Sequence, residues 1–182
     1  MSGVQRVEDV IGFWFGELEP KHWFVRHEWV DDAIRGRFAG LYAEISQQSA
    51  ASLVTAPRPA LAAVIVLDQF PRNLFRGTAR AFATDAQALE ISQRAIAAKF
   101  DQALSVPQRT FLYMPFQHAE DSKVQERSIE LFESLGDAEV LSFARRHKEV
   151  IDRFGRYPHR NAALGRVSTP EEVEFMKTHP GF

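Results

Sequence analysis

Acidic, amide and basic side chains follow directly on the most apolar segment of the chain. Residues 60–67 are all apolar, and Asp68, Gln69, Arg72 and Asn73 come within the next six positions. Forked guanidinium donors bind carboxylates and phosphates, so this segment has the residue types of an anion site. A carboxylate is disfavoured at the negative C-terminal end of a helix, and we therefore predict that Asp68 is paired with an arginine.

Arginines recur at a spacing of four through the rest of this stretch. Arg72, Arg76 and Arg80 have the spacing of one helix face, although Gly77 interrupts the run and Pro71 bends the chain before it. Two interpretations stay open at this point. The stretch is either a binding site or an elbow in which ion pairs join two helices.

A second polar stretch surrounds His118. If the helix continues through the proline in this stretch, His118 and Asp121 share one face with Met114 and Gln125. A histidine oriented by a carboxylate suits general acid–base catalysis, and either Asp121 or Asp68 could supply the carboxylate. Two such side chains are too few for a metal site. The alternative is that Asp121 caps the next helix and His118 is a hydrogen-bonded interior residue.

A third polar stretch lies at residues 153–161, where Gly155 and Pro158 fix the shape of a loop. Loops on a rigid scaffold often carry binding groups, and guanidinium groups match anions. The candidate ligand-binding side chains here are Arg156, His159, Arg160 and Asn161. The alternative is a solvated basic loop paired with acids elsewhere. His147, on the apolar stripe of the preceding helix, is expected to be a hydrogen-bonded core residue.

Helices are predicted along most of the chain, because apolar residues recur three or four apart and no segment shows the alternation of a strand. The predicted helices cover about residues 7–16, 31–47, 60–67, 85–100, 106–114, 121–135, 137–154 and 170–177. Segment 60–67 has no polar side and should be buried all round. The short loops between the predicted helices favour antiparallel packing of helices that are adjacent in the sequence. We predict an all-α fold of seven to eight helices in one domain, 1–182.

Local signals predict where several helices begin and end. Pro59 is the expected start of the central helix, and Pro115 is expected to kink or end the helix that contains it. Thr84, Ser105 and Thr169 each begin a capping-box pattern.

The chain is rich in large aromatic residues, with 15 Phe and 3 Trp. Such rings mostly supply core packing. We therefore expect Trp23, Phe24 and Trp29, which lie in a short helical turn and a loop, to pack inward.

The overall composition excludes several classes of protein. The chain of 182 residues has a net charge of −2, which argues against binding nucleic acid through bulk charge. It has no cysteine, which excludes disulfides and thiolate chemistry. No secretory signal is recognised, and the longest apolar run is far shorter than the roughly 18 residues of a membrane span. We expect a cytoplasmic protein that is not bound to a membrane. No nucleotide, nucleophile-elbow or zinc-protease motif occurs, so no cofactor or metal is predicted.

The polar stretches carry a resemblance to a known family. The segments IGFWFGELEPKHWF, LDQFPRNLFRGTARAFATD, YMPFQHAED and RFGRYPHRN are similar to the bacterial domain-of-unknown-function family numbered 924. The resemblance covers residues 7–175. It implies an all-helical, tetratricopeptide-like (TPR-like) superhelical fold, and it implies no activity and no catalytic residues.

Three hypotheses for the function follow from these features. The first is a binding module for a small anion or an acidic peptide end, held by arginines of the first and third stretches, because helix-pair arrays present concave surfaces. The second is a hydrolase or lyase in which His118 is the general acid or base and arginines stabilise developing charge. The third is a purely structural role, in which the acids and arginines saturate one another and leave no open cavity.

Overall fold

Helices make up all the regular secondary structure in the part of the chain that this computed structural model describes, residues 3–179 and 181. The predicted all-α class is confirmed. The α-helices are α1 (Gly3–Gly12), α2 (Pro20–Phe24), α3 (Glu28–Ile45), α4 (Ala50–Leu53), α5 (Pro57–Val64), α6 (Phe70–Leu74), α7 (Asp85–Ala97), α8 (Val106–His118), α9 (Ser122–Glu133), α10 (Ala138–Phe154) and α11 (Pro170–Met176). The predicted domain 1–182 also includes residues 1, 2, 180 and 182, which lie outside the described residues. Its bounds and the TPR-like arrangement stay predictions.

The segment from Pro57 to Leu74 is one continuous helical run with a wider turn in its middle. Helix α5 passes into a π-helical turn at Ile65–Gln69, which passes into α6. Residues 60–67 are all buried, as predicted, and burial continues to residue 71. The run begins at Pro57 and not at Pro59. A π-turn holds more residues than an α-helical turn, and such turns occur frequently at functional sites.

Helix α5 lies at the centre of the fold. It packs against α1, α7 and α8, and the sequential pairs α7–α8, α8–α9 and α9–α10 also pack together. One apolar cluster connects buried side chains from α1 to α10, and a smaller cluster joins the end of α10 to Tyr157. None of the described helices is both long enough and apolar enough to cross a bilayer.

Several local predictions need correction. Of the two outcomes expected at Pro115, a kink or the end of the helix, the end is wrong, because α8 continues to His118. Thr84 precedes α7 but forms no capping box, because its hydroxyl instead donates to the carbonyl oxygen of Leu67 at 2.6 Å. The capping box at Ser105 does form, and the backbone N–H of Ser105 donates to Oε1 of Gln108 at 3.1 Å.

The inward packing predicted for the rings around α2 is confirmed for one of them, since Trp23 is partly buried and packs against the main core. It is wrong for Phe24 and Trp29, which are 65% and 48% exposed. The other expectation holds, because rings such as Phe13, Trp14 and Phe70 are fully buried and contact one another in the main core.

Candidate functional site

Asp68 is a fully buried carboxylate in the π-helical turn. His118 Nδ1–H donates to its Oδ1 at 2.8 Å, and Gln69 Nε2–H donates to its Oδ2 at 2.5 Å. The guanidinium of Arg72 lies 3.4 Å from Oδ1 and also donates to the backbone carbonyl of Asp68. Burial opposes ionisation, but the charge of Arg72 and these hydrogen bonds outweigh it and hold the pKa of Asp68 well below its usual range. Asp68 is therefore charged at neutral pH.

A chain of alternating charges extends from Asp68 across the start of α7. Arg72 makes a bidentate contact with Asp85, at 2.9 and 3.0 Å, in addition to its contact with Asp68. Asp85 also accepts a longer hydrogen bond, of 3.3 Å, from Arg160. Arg72 thus has two carboxylate partners, whereas Arg160 makes only one, longer contact with the carboxylate of Asp85.

Arg160 is held mainly by aromatic rings. Its guanidinium carbon lies 4.7 Å from the ring centroid of Phe82 and 4.5 Å from that of Tyr157. The side chain is 7% exposed, and its Nε–H is buried without an acceptor among the described residues. Burial, followed by repulsion from Arg72, lowers the pKa of Arg160. The positive charge of Arg160 is therefore only partly neutralised by the groups around it.

His118 connects the buried carboxylate to open space. Burial lowers the pKa of His118, and the attraction of Asp68 opposes this only in part, so the imidazole is neutral at pH 7. Since Nδ1 carries the proton that is donated to Asp68, Nε2 has its lone pair available. Nε2 makes no hydrogen bond within the described residues, and His118 lines a cavity. The arrangement is that of a general base oriented by a carboxylate.

Two further imidazoles lie near His118. The ring of His147 is 6.1 Å from that of His118, and Nδ1 of His147 lies 2.8 Å from the carbonyl oxygen of Phe143. Burial lowers the pKa of His147 to about 3, and burial together with repulsion from Arg160 lowers the pKa of His159 to about 4. Both are neutral at pH 7. Among the described residues, no three His, Asp or Glu side chains converge closely enough to hold a metal ion.

These side chains surround a cavity of about 370 Å³, which we call the Arg/His cavity. Four arginines line it, namely Arg26, Arg72, Arg76 and Arg160. Four histidines also line it, namely His22, His118, His147 and His159. None of the described aspartates or glutamates does, because the carboxylates of this region lie behind the arginines. The cavity is therefore surrounded by guanidinium and imidazole groups, with no carboxylate of the described residues in its lining.

A third carboxylate anchors the outer part of the cavity. Asp31, at the start of α3, accepts hydrogen bonds from Asn73 at 2.7 Å and from Arg76 at 2.9 Å, and Arg26 lies 3.8 Å away. Burial raises the pKa of Asp31, but the hydrogen bonds of Arg76 and Asn73 outweigh this and lower it. Asp31 thus holds these side chains in place along the wall.

All three polar stretches that the sequence singled out reach this cavity, and each contributes some of its residues to the lining. The predicted site residues that line it are Gln69, Arg72, Asn73, Arg76, His118, His159 and Arg160, and Asp68 lies directly behind them. Asp121 is elsewhere: it caps α9, and its Oδ1 accepts from Val124 N–H at 3.0 Å. The carboxylate beside His118 is therefore Asp68.

Two other predicted site residues, Arg156 and Asn161, lie outside the lining and have structural partners. Arg156 makes a bidentate contact with Glu172, at 2.7 and 2.9 Å, and Asn161 Nδ2 is 3.2 Å from the same carboxylate. The hydrogen bond from Arg156 is the main cause that lowers the pKa of Glu172 to about 2. These contacts fasten the third stretch to α11.

Gln125 is fully buried at the junction of α8 and α9. Its Nε2 lies 2.8 Å from the carbonyl oxygens of Gln117 and Ala119 and 2.9 Å from the hydroxyl of Tyr157. The Tyr157 hydroxyl in turn donates to the Gln117 carbonyl at 2.5 Å. This network fixes the C-terminal end of α8, and so it positions His118.

Sequence reasoning missed Asp31 and Asp85 as parts of the site. Both were attributed to the start of a helix, where acidic residues are favourable in any case. A signal was present, because the arginines of the first stretch outnumber its one acidic residue, Asp68. Gln117 was also missed. It lines the cavity, and its buried Oε1 has no donor among the described residues.

A larger cavity, of about 700 Å³, lies between α1, the end of α3 and α5. Its lining is mainly apolar, and its charged members include Arg6 and Arg58, which pair with Glu44 and Glu8 at the surface. It contains no buried titratable side chain, whereas the Arg/His cavity contains several. Size alone favours the apolar cavity as a binding site, but the buried titratable side chains are found at the smaller cavity.

Comparison with known proteins gives two matches. A family model described as a bacterial protein of unknown function (DUF924) matches residues 10–180. The solved structure of a protein of unknown function from Agrobacterium tumefaciens is 35% identical to this chain, with a TM-score of 0.92, and the match covers 98% of this chain and 100% of the other. A search of curated proteins finds no match. The chain belongs to the DUF924 family of bacterial proteins.

Proposed function

We propose that the protein binds a small anionic ligand in the Arg/His cavity. The observation that carries this proposal is that four arginines line the cavity while the carboxylates that partly neutralise them lie behind the wall. A cavity lined with one sign of charge concentrates ligands of the opposite sign. Its volume of about 370 Å³ lies within the range of small-molecule sites.

Arg160 gives the proposal its energetic basis. A nearly buried guanidinium with one long carboxylate contact is more stable when an anion comes close. The same anion would lie near Arg72, whose charge is already shared between Asp68 and Asp85. We therefore expect Arg160 to contribute most of the binding free energy. An acidic peptide end carries the same carboxylate chemistry, but the cavity size favours a small molecule.

Thermal unfolding with added anions tests the proposal. Inorganic phosphate, sulfate and citrate should each be compared with potassium chloride at equal ionic strength, because chloride controls for screening. A ligand at 100 times its Kd stabilises the fold by about 2.7 kcal/mol. For a chain of this length that corresponds to a rise in Tm of roughly 5–10 °C.

Matched variants locate the effect. Arg160→Gln should remove most of the rise in Tm, measured against the same variant without ligand. Arg127→Gln deletes an arginine from the exposed face of α9, where Arg127 pairs only with Glu130, and should keep the full rise. No rise beyond the chloride control with any anion, or an equal rise in the Arg160 variant, would contradict the proposal.

A second candidate function is catalysis by proton transfer. It is favoured by one specific observation, the 2.8 Å contact from Asp68 to Nδ1 of His118, a residue that lines the cavity. In such an enzyme His118 takes a proton at Nε2 from a water or from the bound substrate, and Asp68 stabilises the imidazolium. The proton then passes to the leaving group, as in a hydrolase or lyase acting on an anionic substrate.

Activity and binding can be separated at His118. If the site is catalytic, turnover of an anionic ester such as p-nitrophenyl phosphate or succinate monoester should be lost in His118→Gln while sulfate binding persists. An exposed histidine provides the matched control, His179→Gln, which should keep full turnover. If the wild-type protein binds these substrates without hydrolysing them, the catalytic function is excluded for these substrates and the binding proposal stands.

A further inference from the structure

We propose that the ligand carries a flat aromatic group in addition to its anionic group. This inference rests on the proposed function and specifies the ligand class of the same cavity. It starts from three rings that line the Arg/His cavity, Trp23, Phe24 and Phe143, which we call the aromatic rim. Phe24 is 65% exposed and Phe143 is 39% exposed, although the core of the protein offers burial to many other rings. Exposed apolar surface beside a polar cavity commonly marks a ligand-binding surface.

The exposed rings of the rim are held in parallel. The plane of Phe24 lies within 8° of that of Phe111 and within 11° of that of Phe143, with centroid distances of 6.3 and 6.4 Å. Phe111 belongs to the buried core. The guanidinium of Arg146 lies 4.2 Å from the centroid of the Phe143 ring. The rim is therefore a surface of defined orientation, connected to the core through Phe111.

Contacts lead from the rim to the charged end of the cavity. Phe143 and His147 are one turn apart on α10, and the Phe143 carbonyl is 2.8 Å from Nδ1 of His147. The ring of His147 is 6.1 Å from that of His118, which contacts Asp68 and hence Arg72. One cavity thus combines aromatic rings with guanidinium groups. Such a lining is complementary to a molecule with a planar apolar part and an anionic part, because each part finds its own kind of surface.

A series of phosphates tests this inference. Inorganic phosphate is compared with phenylalkyl phosphates that have zero, two and four methylene groups between ring and phosphate, and with cyclohexyl phosphate as a non-planar control. Isothermal titration calorimetry at pH 7.5 gives each Kd. We expect the best phenylalkyl phosphate to bind at least about tenfold more tightly than inorganic phosphate, from ring burial and stacking. Cyclohexyl phosphate should gain less.

Variants of the rim assign the gain to these rings. Phe24→Ala and Phe143→Leu should each remove most of the gain, measured in each variant as the ratio of its Kd values for inorganic phosphate and for the phenylalkyl phosphate. Phe24→Tyr keeps a ring and should keep the gain. Val167→Ala is the control, since Val167 is 88% exposed and does not line the cavity.

The outcomes distinguish this inference from the proposed function. If inorganic phosphate binds through Arg160 but the ring adds nothing, or if its gain survives both rim variants, the aromatic ligand class is wrong and the anion site stands. If neither inorganic phosphate nor any organic phosphate binds, this inference fails, and the proposed function fails with it when sulfate and citrate do not bind either. The inference and the proposed function are both supported if the tighter binding of the phenylalkyl phosphate is lost in Phe24→Ala and Phe143→Leu and retained in Phe24→Tyr.

Discussion

Replacing His147 should change how the stability of the protein depends on pH. Burial lowers the pKa of this imidazole to about 3, and the charged or titratable groups near it are His118, His159, Arg160 and Tyr157. An unfolded histidine has a pKa of about 6.5. Below pH 6.5 the unfolded chain therefore binds a proton at this position that the native protein does not bind. Stability falls as the pH falls from 6.5 toward 3, and above 6.5 the group makes no pH-dependent contribution.

The size of the effect depends little on the exact native pKa. Each pH unit between the two pKa values corresponds to about 1.4 kcal/mol, so His147 removes roughly 2 kcal/mol of stability between pH 7 and pH 5. The native pKa of His159, about 4, is also well below 5, and this residue contributes a similar loss. The two together remove about 4 kcal/mol, a large share of the 5–15 kcal/mol that is typical of a domain.

Urea unfolding followed by circular dichroism between pH 7 and pH 5 measures the slope. The variant His147→Phe should lose about 2 kcal/mol less than the wild-type protein over this range, whatever its stability at pH 7. His179→Gln, at an exposed position, should lose as much as the wild type. Parallel curves for His147→Phe and wild type would refute the reasoning, because they would mean that native His147 gains its proton in the same pH range as the unfolded chain.

Three other predictions follow from the site and its supports. Asp68→Asn should lower the free energy of unfolding in urea by about 3–5 kcal/mol, because it leaves Arg72 with one carboxylate, whereas loss of the helix cap in Asp121→Ala should cost about 1 kcal/mol. Sulfate, which does not titrate in this range, should bind more tightly as the pH falls from 8 to 5.5, because an anion raises the pKa of His118; calorimetry should detect proton uptake, and His118→Gln should lose part of it. Gly155→Ala should cost about 1 kcal/mol in urea unfolding, because Gly155 ends α10 at a φ of +69°.

Local patterns in the sequence were sufficient to predict the helices and the segments in which the candidate site lies. Period 3.6 identified each long helix, and the isolated carboxylate after the apolar run correctly called for an arginine partner, which is Arg72. The wide turn that contains Asp68 was not predictable in the same way. A π-turn has no distinct apolar period over five residues.

The partners of the arginines could not be predicted, because they depend on contacts between distant segments. Asp31 reaches Arg76 from 45 positions away, and Arg160 contacts Asp85 from 75 positions away. Helical spacing ranks which residues share a face, but it contains no information about which faces meet. The exposure of Phe24 was missed for a related reason. Composition predicts that most rings are buried, and it does not identify the few that remain at a cavity.

The contrast between two neighbouring arginines weighs against a purely structural role for the polar stretches. That hypothesis requires acids and arginines to saturate one another and to leave no open cavity. Arg156 meets the requirement, because it makes a bidentate pair with Glu172 and lies outside the cavity lining. Arg160, four positions later, has a single long carboxylate contact, is held by two rings and lines open space. If ion pairing alone had shaped this loop, Arg160 would be as well paired as Arg156. The loop therefore divides into an outer part that contacts α11 and an inner part whose cation lines the Arg/His cavity, where we propose that the ligand binds.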